Sequence, residues 1–109
     1  LRVELEVSMA NNPLSTLARI DPRMMKHLAE VDELVYASGA LSRKIKLLIA
    51  MAFDAAHGAS DGVQALARAA VKEGATSQEV AEALRVAYHL AGVGALYTGS
   101  MGLSEVFGQ

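Results

Sequence analysis

The residues best suited to chemistry crowd around one glycine: Asp54, His57, Ser60, Asp61 and Gln64 flank Gly58. Asp54, His57 and Asp61 stand at i, i+3 and i+7, which would place them on one face of an unbroken helix. Gly58 falls inside that series and interrupts it. Tyr88 and His89 lie further on, in an otherwise apolar stretch, and Tyr97 follows. If the helix bearing His89 packs on the Gly58 turn, His57 and His89 line one pocket. Histidine exchanges a proton near neutral pH and, as a cation, can hold a carboxylate. The chemistry this implies is cofactor-free acid/base work on a small carboxylate, with His57 as acid/base and His89 or Tyr97 assisting. His57, Asp61 and His89 are also metal-ligand types, but an HxxxD spacing alone does not specify a site. No metal and no cofactor are expected. Gly92-Val93-Gly94 lacks the preceding strand that a dinucleotide-phosphate loop requires.

Each of these residues also has a plain structural role. Ser60 and Asp61 suit the start of a helix, where they cap free N–H groups and face the positive end of the dipole. His57 suits a helix end, capping carbonyls. His89 on an apolar helix suits a hydrogen-bonded core position. Tyr88 and Tyr97 suit packing with one satisfied hydroxyl, and Met24, Met25 and Met51 suit core filling.

The elements that must position these groups are helical throughout. Asn11-Asn12-Pro13 reads as a turn into a short helix, roughly Leu14–Arg19. Asp21-Pro22 is a good helix start, since Asp caps and Pro sits where no N–H is needed. Met24, Met25, Leu28, Val31, Leu34 and Val35 then recur at helical spacing until Gly39. Ser42 caps the next helix, in which Leu47–Phe53 is apolar without a break. A helix apolar on every side is buried on every side, in the core or between subunits. Gly58 ends it, and a further helix begins at Ala59 or Ser60 and runs to about Glu73, with Gly74 just past its end. Thr76-Ser77-Gln78-Glu79 is a capping box, opening a helix with an apolar stripe at Val80, Ala83, Leu84, Ala87 and Leu90. Gly92 and Gly94 break it. A last helix, about Ala95–Val106, carries Ala95, Gly99 and Gly102, small residues that permit close helix contact. The reading is all-α: residues 1–12 as an N-terminal arm, residues 13–109 as one helical domain.

Composition narrows the function classes. A chain of 109 residues suits one compact domain. Its 52% hydrophobic content is high for a domain with so much surface per volume, which points to a homo-oligomer. A net charge of -2 without a basic stripe argues against sequence-independent nucleic-acid binding. The absence of cysteine removes disulfides and thiolate metal sites and is compatible with the cytoplasm, the location expected here. Leu1–Met9 alternates apolar and charged residues, unlike the core of a secretory leader. Residue 1 is not Met, so the natural start is expected upstream. The longest uncharged run, Val86–Ser104, contains Tyr88, His89, Thr98, Ser100 and several glycines. It reads as a buried helix pair and not as a membrane span.

Two segments carry a resemblance. LSRKIKLLIAMAF at Leu41–Phe53 and HGASDGVQALARAAVKEGATSQEVAEAL at His57–Leu84 are similar to the carboxymuconolactone decarboxylase and alkyl hydroperoxidase D family, whose pattern is LSxKxRELIAL, a Gly turn, then HxRxALxxGAT-x-EEIxEAL. Val93-Gly94-Ala95-Leu96 suits the same family, and the likeness covers roughly Pro13 to Val106. It implies an alkyl hydroperoxidase D-like helical bundle assembled as a trimer or hexamer. In the peroxidase branch two cysteines open the helix after the Gly turn, where the helix N-terminus favours a thiolate nucleophile. The matching positions here are Ala59 and Gly62; the branch's activating Glu falls on Leu47 and its His on Leu66. Thiol peroxidase activity is therefore not expected. The decarboxylase branch also tends to keep a His at the position of Leu66. The resemblance implies either a decarboxylase or isomerase acting on a small carboxylate or lactone, or a non-catalytic binding or structural oligomer that kept the fold. An enzyme should enclose His57 in a pocket with other polar groups. A structural oligomer should leave His57 solvated or capping, with Leu47 and Leu66 filling the interior.

Overall fold

The computed structural model describes residues 13–108, and the expected N-terminal arm lies outside them. Every regular element among the described residues is an α-helix: α1 (Ser15–Ile20), α2 (Pro22–Tyr36), α3 (Arg43–Ala56), α4 (Ser60–Lys72), α5 (Ser77–Ala91) and α6 (Gly94–Phe107). They fall into two compact units that divide in sequence between Ala37 and Ser38. No helix among the described residues is long and apolar enough to cross a membrane.

The first unit holds α1 and α2. Asp21 caps α2 as its sequence requires, its carboxylate accepting from the Met24 N–H at 3.1 Å, with Pro22 at the first helical position. The buried stripe of α2 is narrower than its apolar pattern. Met25, Asp32 and Tyr36 are buried, whereas Met24, Val31, Leu34 and Val35 are exposed. Periodicity records which side chains share a face, not how much of that face is covered.

The second unit holds α3 to α6. Around it, α3 contacts α4 and α5, and α6 contacts all three of the others. The Ser42 hydroxyl caps α3 by accepting from Ile45 N–H at 3.2 Å, and the Ser38 hydroxyl accepts from Arg43 N–H at 3.1 Å. The predicted capping box is complete: Thr76 Oγ1 accepts from Glu79 N–H at 3.1 Å, and the Glu79 carboxylate accepts from Thr76 N–H at 2.9 Å. Two ion pairs hold the start of α3: Arg43 with Glu73, the C-cap of α4, at 3.4 Å, and Lys44 with Glu79, in the first turn of α5, at 3.0 Å. With their N-termini joined in this way, α3 and α5 run side by side in the same direction.

The core of this unit is built on Leu47, Met51, Val63 and Val80, all fully buried. It also includes Ala67, Ala70 and Ala95, whose small side chains bring helix axes together. The last helix, α6, comes close enough to α4 to meet its backbone. A Cβ built on Gly102 would lie 2.6 Å from the Ser60 carbonyl oxygen and 2.7 Å from Val63 Cγ1. Small residues on the last helix thus do what the sequence implied.

Two expectations need correction. Leu47–Phe53 is not buried on every side: Leu47, Leu48 and Met51 are, but Ile49 and Phe53 face outward. Nor is Val86–Ser104 a buried helix pair. Ala87, Ala95, Gly99 and Gly102 are buried, while Val86, Leu90, Val93, Tyr97 and Met101 are exposed. Four helices have too few neighbours to cover every apolar face.

Two measurements test this packing. Gly102→Ala should destabilise the chain by about 1–3 kcal/mol in urea titration, because the Ser60 backbone cannot retreat as a flexible side chain would. The Glu79 carboxyl is held below its ordinary value of 4.5, first by the Thr76 N–H and then by the Lys44 ammonium. A lowered folded-state value stabilises above the unfolded value and loses that contribution as pH falls through the folded one. The stability difference between the native chain and Glu79→Gln should therefore be largest above the ordinary value of 4.5 and shrink as the pH falls below it.

Candidate functional site

The turn singled out by the sequence is formed by the end of α3. His57 is the C-cap of α3, and its N–H donates to the Phe53 carbonyl at 3.0 Å and the Asp54 carbonyl at 3.2 Å. Gly58 follows at φ +79°, a left-handed conformation that lets the chain leave the helix. Ala59 N–H then donates back to the Asp54 carbonyl at 2.9 Å, and α4 begins at Ser60. The i, i+3, i+7 series of Asp54, His57 and Asp61 is therefore split between two helices. The N-cap of α4 is Ala59, with no side-chain cap hydrogen bond, so Ser60 and Asp61 do not cap it as expected. Both lie within its first turn, and Asp61 still faces the positive end of the dipole.

Asp54 has a specific place. Its carboxylate occupies the space that a Cβ at position 62 would need, with Cγ 2.7 Å and Cβ 3.4 Å from that point. Ala59 is exposed and Gly62 half-buried. These are the positions where the resemblance puts the peroxidase thiols; at position 62 the Asp54 carboxylate stands in the space a side chain would take. Leu47 is fully buried and Leu66 nearly so, filling the places of the branch's Glu and His with hydrocarbon.

The three candidate acid/base residues all lie at the surface. His57 is exposed, with its ring tilted against Phe53 at a centroid distance of 6.3 Å. His89 is exposed near the end of α5, and Tyr97 is 71% exposed on α6. A groove of about 460 Å³ runs between α3 and α5, walled by Ile45, Ile49, Phe53, Val86 and Leu90 together with several alanines. Neither His57 nor His89 lines it. His57 touches it only through Phe53 and by following Ala56, a lining residue. Tyr97 lines a separate cavity of about 580 Å³ along α6, with Val93, Leu96 and Met101. The two histidines and the tyrosine thus do not share either cavity. Among the described residues, no three His, Asp or Glu side chains gather as a metal-holding group, so His57, Asp61 and His89 do not form one.

Sequence reasoning missed Phe53 and Leu90 as surface features and the Asp54–Gly62 contact. The charge-free length of Val86–Ser104 was the available signal for the first. No local pattern signals the second, since it joins two helices across a turn.

The Asp54–Gly62 contact gives a double-mutant test. Gly62→Ala should cost about 0.5–1.5 kcal/mol in the native background, less than Gly102→Ala, because the carboxylate can swing aside into a poorer rotamer. In an Asp54→Ala background the same substitution should cost markedly less, giving a coupling of about 0.5–1.5 kcal/mol in urea titrations. Additive effects would mean that the carboxylate does not hold this position.

Comparison with known proteins bears directly on this arrangement. The chain matches the model of the carboxymuconolactone decarboxylase family over residues 22–99. No curated protein is significantly similar to it in sequence. Among solved structures, it is similar to a carboxymuconolactone decarboxylase family protein from Legionella pneumophila, crystallised in its apo form. That match has a TM-score of 0.81 and 24% identity, covering 99% of this chain and 96% of the other. At that identity the structural likeness speaks for the fold alone. With the family model spanning most of its length, the chain belongs to the carboxymuconolactone decarboxylase family.

Proposed function

We propose that this chain is a homo-oligomeric binding or structural member of the carboxymuconolactone decarboxylase family without thiol peroxidase activity. One observation carries the reading: buried Leu47 and Leu66 fill the interior positions where the resemblance places protonatable groups, while His57 stands on the surface as a helix cap. A trimer or hexamer is the assembly the resemblance implies. The absence of cysteine is compatible with a cytoplasmic setting.

A second reading is favoured by the contact of His57 with Phe53, a wall of the α3–α5 groove. In that reading the groove takes the apolar body of a small carboxylate or lactone. His57 moves a proton at its end, with His89 or Tyr97 assisting, in a cofactor-free decarboxylation or isomerisation. Solvent-exposed groups are weak acid/base catalysts until water is excluded, so this reading requires the site to be closed by something beyond the single chain.

Product analysis with a panel of small lactone acids and carboxylates separates the two. The first reading expects no turnover by the native chain. The second expects turnover that falls roughly 10²- to 10⁴-fold in His57→Ala, with the assembly mass unchanged. In both, the purified, metal-free chain should not reduce an alkyl hydroperoxide with a thiol reductant, and robust reduction would overturn the exclusion of peroxidase chemistry.

A further inference from the structure

The groove between α3 and α5 is made by two rows of alanine. Ala52 and Ala56 stand one turn apart on α3, Ala83, Ala87 and Ala91 stand one turn apart on α5, and all five line it. Ala87 is buried and Ala52, Ala56 and Ala83 are half-buried, whereas the larger lining residues Ile45, Ile49, Phe53, Val86 and Leu90 are exposed. The alanines are the floor and the larger side chains the walls. On α3 the wall repeats every fourth residue, so it is continuous along the helix. No lining side chain carries a nitrogen or an oxygen.

The dimensions narrow the occupant. The lining runs from Ile45 to Ala56 on α3 and from Ala83 to Ala91 on α5, which at the helical rise is about 12–16 Å. Spread over that length, about 460 Å³ is a cross-section on the order of 30–40 Å², a channel about 6–7 Å across. An α-helix of a protein partner is about 10–12 Å across with its side chains and does not enter it. An extended peptide brings amide groups that need hydrogen-bond partners, and the walls offer none. A single alkyl chain has the width and makes no such demand. The groove also lacks a seat for a charged head. At its opening end the helix N-termini are already capped by Ser42 and Thr76, and Arg43 and Lys44 are paired with Glu73 and Glu79. At the other end neither His57 nor His89 lines it.

We propose that this groove binds the alkyl chain of a single-chain amphiphile, with the polar head left in water. A zigzag of C–C bonds advances about 1.3 Å per bond, so the groove takes about ten to thirteen carbons. This rests on the reading of the chain as a binding member of its family and names the class of ligand.

Isothermal titration of the full native chain with unbranched primary alkanols, from hexanol to tetradecanol, tests this, with the matching carboxylates as a second arm. Affinity should rise about 2- to 4-fold per added methylene and level off once the chain fills the groove. Alkanol and carboxylate of equal length should bind alike. Ala52→Leu, which fills the middle of the floor, should weaken decanol binding at least about 5-fold. Ala91→Leu, at an exposed position at one end, should move the plateau to shorter chains. Leu34→Ala, which trims an exposed residue of α2, should change neither. Helix content and the urea midpoint of each variant confirm that it is folded. Affinity that climbs through tetradecanol without a plateau, native binding that survives both groove variants, or no alkanol binding at all would overturn the proposal. Carboxylates that bind more than about 10-fold tighter than the alkanols would overturn it too, by showing that a head is held. Product analysis on the same samples keeps the two readings apart: turnover of a carboxylate overturns the non-catalytic reading, whereas absent binding without turnover overturns only the ligand class.

Discussion

The first turn of α4 is approached closely from two sides, each time where a glycine stands. From α3, the Asp54 carboxylate lies over Gly62. From α6, Gly102 comes against the Ser60 carbonyl and Val63. Gly58 makes the first approach available by turning the chain tightly enough to set α3 and α4 back to back. The remainder of the four-helix unit is arranged around this pinch. Met51, Val63 and Val80 fill the space it leaves, and the ion pairs of Arg43 and Lys44 hold the opposite end of α3. Close-packed interiors tolerate little change in volume, so the site region can change chemistry only by substitutions that respect the same spacing.

That constraint bears on function. A fold can persist while the chemistry placed on it is exchanged. Here the two interior positions that the resemblance associates with proton chemistry hold Leu47 and Leu66, and Asp54 and His57 serve local structure at the turn. Asp54 sits against a glycine, and His57 closes a helix. What the chain displays instead are large apolar side chains outside the core, among them Phe53, Leu90, Tyr97 and Met101.

Much of the architecture was legible from the sequence because it is written locally. Caps at Asp21, Ser42 and Thr76 depend on residues three apart, and the structure forms all three. Small residues at Ala95, Gly99 and Gly102 announced a close contact, and the contact is present. The failures have two causes. A cap at Ser60 or Asp61 was inferred from preference, but the Gly58 turn makes Ala59 the N-cap. Burial of Val86–Ser104 and of both faces of Leu47–Phe53 was inferred from hydrophobicity, which measures the wish to leave water and not the presence of a neighbour.

The sequence by itself determined the absence of a thiol, the helical class and the identity of the side chains at the turn. None of these depends on how the helices meet. Only the tertiary structure decided that the Asp54 carboxylate fills the space beside position 62, that His57, His89 and Tyr97 are all exposed without sharing a cavity, and that Phe53, Leu90, Tyr97 and Met101 lie outside the core. Those facts turn on distances between residues far apart in the chain. Such distances are fixed by packing volumes that no local spacing encodes.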